Sequence, residues 1–174
     1  INSFAQGNRR VTRTPEEAYN DAINNPGFKE SPNGEGFCWQ ARGAMSGFIS
    51  NYESTKNTEW LDAGIKYYDW LLDKMLTDPD GYKGWIGKYD YDKRYWTDAL
   101  VGDALLLSGM LDFSVLIKET PELQKKYKAK ADQYFNEAKR NFYEKWDHKK
   151  CWYDDAPFGS YLFPVNFLKP DNIK

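Results

Sequence analysis

Asp98, Asp154 and Asp155 are the carboxylates in this sequence whose placement suits joint action on a substrate. Asp98 opens an apolar helical pattern, where free backbone N–H groups stabilise an ionised side chain. Asp154 and Asp155 come from a separate turn-rich segment, so they could face Asp98 across a cleft. Two carboxyls flanking a bond are the usual apparatus of glycoside hydrolysis. Asp103 lies about one and a half turns further along the same helix and reads instead as a buried, hydrogen-bonded acid. The plainer alternative for Asp98 is a first-turn acid that only stabilises its own helix.

Rings are concentrated near these acids. Trp85, Tyr89, Tyr91, Trp96, Trp152 and Tyr153 fall in two connecting segments. Aromatic planes stack on the C–H faces of sugar rings, while tyrosine hydroxyls and indole N–H groups bond their edges. The competing role for each ring is to plug a loop against a helix end. Trp39 and Arg42, three residues apart, share a helix face. A guanidinium there could hold a uronate carboxylate or pair with a loop acid. His148 could shuttle protons, as histidine side chains commonly do, but its neighbours Asp147, Lys149 and Lys150 describe a solvated helix end. Cys38 and Cys151 would close a long loop if bridged; two separate buried thiols are the alternative. The two cysteines and one histidine make no zinc set, and the acids of DPDG and DYD lack the spacing of a calcium loop. No metal and no cofactor are expected.

Composition narrows the classes further. Among 174 residues, 24 basic and 26 acidic side chains leave a net charge of −2, which excludes a polyanion binder by bulk charge. GYKGWIG lacks the Lys-Ser/Thr ending of a phosphate cradle, so no nucleotide or nucleic-acid partner is expected. No run reaches the roughly 18 uncharged apolar residues of a membrane span. Aromatic residues make up 17% of the chain, more than a core of this size needs, so some rings are expected to meet a ligand.

The elements that must position these groups are helices. Thr14, Pro15, Glu16 and Glu17 read as a capped helix start, with an end near Asn24. Phe37, Ala41, Ala44, Phe48 and Tyr52 form one helical stripe, and Leu61, Ile65, Tyr68, Leu72 and Met75 a second. The segment from Thr77 to Trp96 reads as a shaped loop. Thr97 to Lys118 is apolar on nearly all sides and is expected to be central. Tyr127, Ala131, Tyr134, Ala138 and Phe142 mark a peripheral helix. Short turns alternate with long connections, at a period of roughly 60 residues. The long connections (Asn25 to Gly36, Thr77 to Trp96, Asp147 onward) must therefore gather at one end. The pattern predicts an all-α fold of stacked αα-hairpins in a single domain over 1–174.

The phrases YWTDALVGDALL and FCWQARGAMSGFISNYESTKNTEWLDAGIKYYDWLL, in this alternation, resemble the six-hairpin glycosidase superfamily of (α/α) toroids. Unsaturated glucuronyl and rhamnogalacturonyl hydrolases belong there, and several polysaccharide lyases share the architecture. The resemblance spans about residues 37–155 and implies an incomplete toroid, since the repeat count supplies about two and a half hairpins. It implies that Asp98, in the W-x-D phrase of Trp96, Thr97 and Asp98, is a general acid/base acting on uronate-containing oligosaccharides. A lyase of the same architecture and a noncatalytic glycan-binding module are the alternatives. Further hairpins or a partner chain would complete the ring. The start at Ile1 suggests a processed mature form or an excised piece, and together with the substrate class an extracytoplasmic protein.

Overall fold

Thr14 opens the first helix with a reciprocal cap: its hydroxyl accepts the Glu17 N–H at 3.2 Å, and the Glu17 carboxylate accepts the Thr14 N–H at 2.8 Å. The computed structural model describes residues 13–89, 92, 94–155, 157–161, 165–169, 171, 173 and 174. Within them α1 is Pro15–Ile23 and α2 Gly34–Thr55, separated by a 3₁₀ turn at Pro26–Lys29. α3 is Glu59–Leu72, α4 Leu100–Glu119 and α5 Pro121–Ala138. The last helix runs on through a π-helical stretch, Lys139–Glu144, into α6, Lys145–His148.

Packing obeys the apolar stripes. α2 lies against α3 and α4, α4 against α5, and α1 against α3. Phe37, Ala41, Met45 and Phe48 meet Leu61, Tyr68 and Leu71, and the core continues through Leu106, Met110 and Phe113 to Tyr127 and Tyr134. α5 is stitched to α3 by Lys126 to Asp62 at 2.8 Å and Lys130 to Asp69 at 2.7 Å. α3 is joined to α1 by Lys66 and Glu16 at 3.3 Å.

Many of the aromatic residues serve this core. Tyr67 and Tyr68 donate their hydroxyls to the carbonyls of Ala41 and Met45 on α2, at 3.0 and 3.1 Å. Tyr127 and Tyr134 do the same across the α3–α5 seam, to Thr58 and Ile65 and to the carboxylates of Asp62 and Asp69. A buried tyrosine supplies apolar area and also satisfies a polar group on the facing helix, which a phenylalanine cannot do.

The chain is mostly helical, yet short antiparallel strands occupy the segments read as loops. β1 (Leu76–Thr77) pairs with β2 (Lys83–Gly84). β3 (Gly87–Lys88) pairs with β4 (Trp96–Ala99), whose other edge takes β7 (Val165–Leu168). The register sets Asp98 opposite Asn166 and Trp96 opposite Leu168. β5 (Trp152–Asp155) and β6 (Phe158–Tyr161) form a separate hairpin. Strands of two to four residues are too short to display alternation, and β4 finds its partner about seventy residues away, so local pattern cannot reveal it.

α4 also departs from expectation. It begins at Leu100 rather than Thr97, and it is not covered on all sides. Ala104, Ser108, Leu111 and Val115 form a stripe that, with Phe135 and Tyr143, lines two adjoining grooves of about 430 and 490 Å³. Val115 is 49% exposed and Phe135 54%. By length and composition alone α4 is apolar enough to cross a membrane. Here it packs between α2 and α5, and its Asp112 is ion-paired to Arg42.

Candidate functional site

Two close backbone approaches gather the strands at the N-terminal end of α2 and α4. Gly34, with φ 76°, starts α2 so near to β3 that a β-carbon on it would lie 3.2 Å from Gly87 Cα. Gly84 in β2 lies over an ionic cluster: a β-carbon there would fall 2.5 Å from both Asp98 Oδ1 and Lys145 Nζ. Only glycine lets the backbone approach this closely.

That cluster joins three elements. Lys145 Nζ lies 2.8 Å from Asp98 Oδ1, 2.7 Å from Asp98 Oδ2 and 2.6 Å from Asp103 Oδ2. It also donates to the Lys83 carbonyl at 3.1 Å, and the Trp146 indole N–H reaches Asp103 Oδ2 at 3.0 Å. Side-chain exposure is 0% for Asp98 and Lys145 and 1% for Asp103. Burial pushes both carboxyls up, against the pull of the ammonium, with Asp103 raised to about 7. Burial by itself lowers the Lys145 ammonium, but Asp103 and Asp98 together hold it above its ordinary value. The nearby Cys38 thiol is pushed up by burial and then by Asp103.

The π-helical stretch aims the lysine. A π-turn takes up one more residue than an α-turn and so rotates the succeeding residues about the helix axis. Asn141 within it is buried, accepts the Lys83 N–H at 2.9 Å and donates to Glu137 at 2.7 Å. Lys145 and Trp146 emerge on the inner side. Next to them Lys149 holds Asp78 at 2.7 Å and Asp80 at 2.9 Å, fixing the turn before β2.

The structure relocates several sequence candidates. Asp98 is not an exposed acid at a helix N-terminus: it lies in β4, is fully buried and is ion-paired. Asp103 is the buried, hydrogen-bonded acid that its position suggested. Asp154 is exposed on β5; the side chain of Asp155 and the whole of Tyr91 lie outside the described residues. Trp85 is a plug rather than an open platform, 3% exposed, with its indole N–H on the Leu71 carbonyl at 2.9 Å. Tyr89 meets Phe167 edge-on at 5.4 Å, and Trp96 is half-buried in β4. Trp39, Trp152 and Tyr153 stand 57%, 48% and 51% exposed. Trp39 donates to Glu35 at 3.1 Å, and Arg42 pairs with Asp112 of α4 at 3.2 Å rather than with a loop acid. His148 is exposed and packs on Tyr82 at 5.6 Å. Cys38 and Cys151 are separate buried thiols. Among the described residues no group of three acids, cysteines or histidines is placed to hold a metal.

Replacing Trp85 with Phe is expected to cost about 1–3 kcal/mol in urea unfolding, because a buried site loses indole volume and a donor to the Leu71 carbonyl, which keeps the Lys74 N–H at 3.1 Å. A sugar-platform role would instead leave stability nearly unchanged. Lys145 and Trp146 are the residues that sequence reading passed over. The available signal was a lysine followed by a tryptophan at the end of an apolar stripe, but the π-turn that directs them inward has no sequence signature. No family model, curated protein or solved structure matches this chain.

Proposed function

We propose that this chain is part of a carbohydrate-active enzyme of the (α/α) toroid kind, a glycoside hydrolase acting on uronate-containing oligosaccharides. The observation that carries the reading is the exposure of Trp39, Trp152 and Tyr153 on segments leading from the end of the helices where Asp98 lies. Rings exposed there offer the planes on which sugars stack. The uncovered stripe of α4 and α5 agrees with a ring of hairpins, since each segment of such a ring leaves one apolar face for the next. In this reading Asp98 supplies the proton to the leaving oxygen, and the backbone at Gly84 must draw back to uncover it.

The test is incubation with neutral and uronate-containing polysaccharides, monitoring new reducing ends alongside the ultraviolet absorbance of unsaturated uronates. Hydrolysis gives reducing ends without that absorbance. Asp98→Asn, shown to be folded by circular dichroism, is expected to lose turnover by on the order of 100-fold or more while keeping sugar affinity. Absorbance rising with the reducing ends would make the protein a lyase instead. Binding without either signal would make it a glycan-binding module.

A further inference from the structure

Two carboxylates share one ammonium in the cluster beneath Gly84, and solvent reaches none of the three. Full ionisation would leave an uncompensated negative charge at a buried position, which is among the costliest arrangements a fold can hold. The surroundings do not offset it. β2 presents a carbonyl, α2 the protonated Cys38 thiol and α6 the Trp146 indole. The second cation facing Asp98 is Lys149, and it is already held by Asp78 and Asp80. Cys151 also faces Asp98, as a thiol raised by burial. Asp98 Oδ2 lies 2.7 Å from Lys145 Nζ but off the line of a hydrogen bond, and among the described residues it has no other donor.

We propose that Asp98 and Asp103 keep one proton between them at neutral pH and act as a proton-operated latch on the β1–β2 segment. With the proton in place the cluster is neutral and clamps β2 onto α6 through the Lys83 carbonyl. Without it the excess charge sits directly under Gly84, and the segment loosens. The proton belongs to the pair rather than to either residue. The inference does not depend on the carbohydrate reading, because it concerns the mobility of a segment and not turnover.

Linkage fixes the direction of the effect. The folded carboxyls are raised above their unfolded value, so folding retains a proton that the unfolded chain releases. The stabilising contribution is complete below the ordinary aspartate range and is lost as pH rises through about 7, the value to which Asp103 is pushed. The latch therefore opens on the alkaline side.

The test is amide hydrogen exchange over residues 76–89 from about pH 5 to about pH 9, each rate corrected for its intrinsic pH dependence. The expected result is protection that falls by up to about tenfold per pH unit from about pH 5 to about pH 7, where the opened segment releases the proton that the closed one keeps, and that is level above. Asp103→Asn, neutral throughout, should give a level profile, while His148→Gln should leave the wild-type slope intact. A level wild-type profile, a slope that survives Asp103→Asn, or a slope removed by His148→Gln overturns the proposal. If Asp103→Asn does not fold, Asp98→Asn removes the same charge and is read in the same way. Proton release on unfolding the unaltered protein at about pH 6 decides independently: about one proton supports the shared proton, and none overturns it.

Discussion

Replacing Lys145 with Met is expected to cost about 3–5 kcal/mol at neutral pH, enough to remove most of the stability of a domain this size. The methionine fills the space but leaves Asp98 and Asp103 facing each other in a buried site with no cation between them. Urea unfolding monitored by circular dichroism measures the loss. Two further observations separate lost charge from lost packing. Acidification should restore much of the stability, because both carboxyls then become neutral. Adding Asp98→Asn and Asp103→Asn to Lys145→Met should recover more than either does alone, since a cluster without charges needs no counter-ion. A Lys145→Met protein as stable as the original at neutral pH would show that the cluster contributes nothing.

The second large effect belongs to Phe113→Ala, expected to lower stability by about 3–5 kcal/mol. Phe113 has no exposed surface and meets Tyr68, Tyr127 and Tyr134 edge-on, with ring centroids 5.9, 6.3 and 5.6 Å away. It brings a ring of α4 against rings of α3 and α5, which also meet each other through Tyr68 and Tyr134. Its removal opens a cavity that three hydrogen-bonded tyrosines cannot collapse into without giving up their carbonyl partners. Val115, two residues further along α4, provides the contrast. It faces the open groove, so Val115→Ala should stay within about 0.5 kcal/mol. Guanidinium unfolding of the two variants side by side reads the difference. Similar losses at both positions would mean that the groove is filled in solution.

These contrasts show where local pattern carried information. The stripes of α2, α3 and α5 were legible because residues three and four apart must lie on one face, whatever they pack against. The Thr14 cap was legible because both of its partners lie within three residues. The aromatic excess was visible as an excess, but its assignment was not. A tyrosine that stacks on a sugar and a tyrosine that bonds a facing helix carbonyl have the same sequence context. Tyr67, Tyr68, Tyr127 and Tyr134 proved to be of the second kind. Trp39, Trp152 and Tyr153 remained outside.

The sequence by itself determined a helical chain, the stripes that build its core, an acid–aromatic phrase at residues 95–98, and a near-neutral charge balance. The tertiary structure alone decided that Asp98 lies on a strand and not in a helix, that Asp103 and Lys145 close on it from other elements, and that one face of α4 stays open. The physical reason is separation along the chain. Helical periodicity is written within a few residues, whereas the β4–β7 pairing, the π-turn that directs Lys145 inward and the approach of Gly84 join segments about forty to seventy residues apart. Such contacts form only once the helices have set the distance between them.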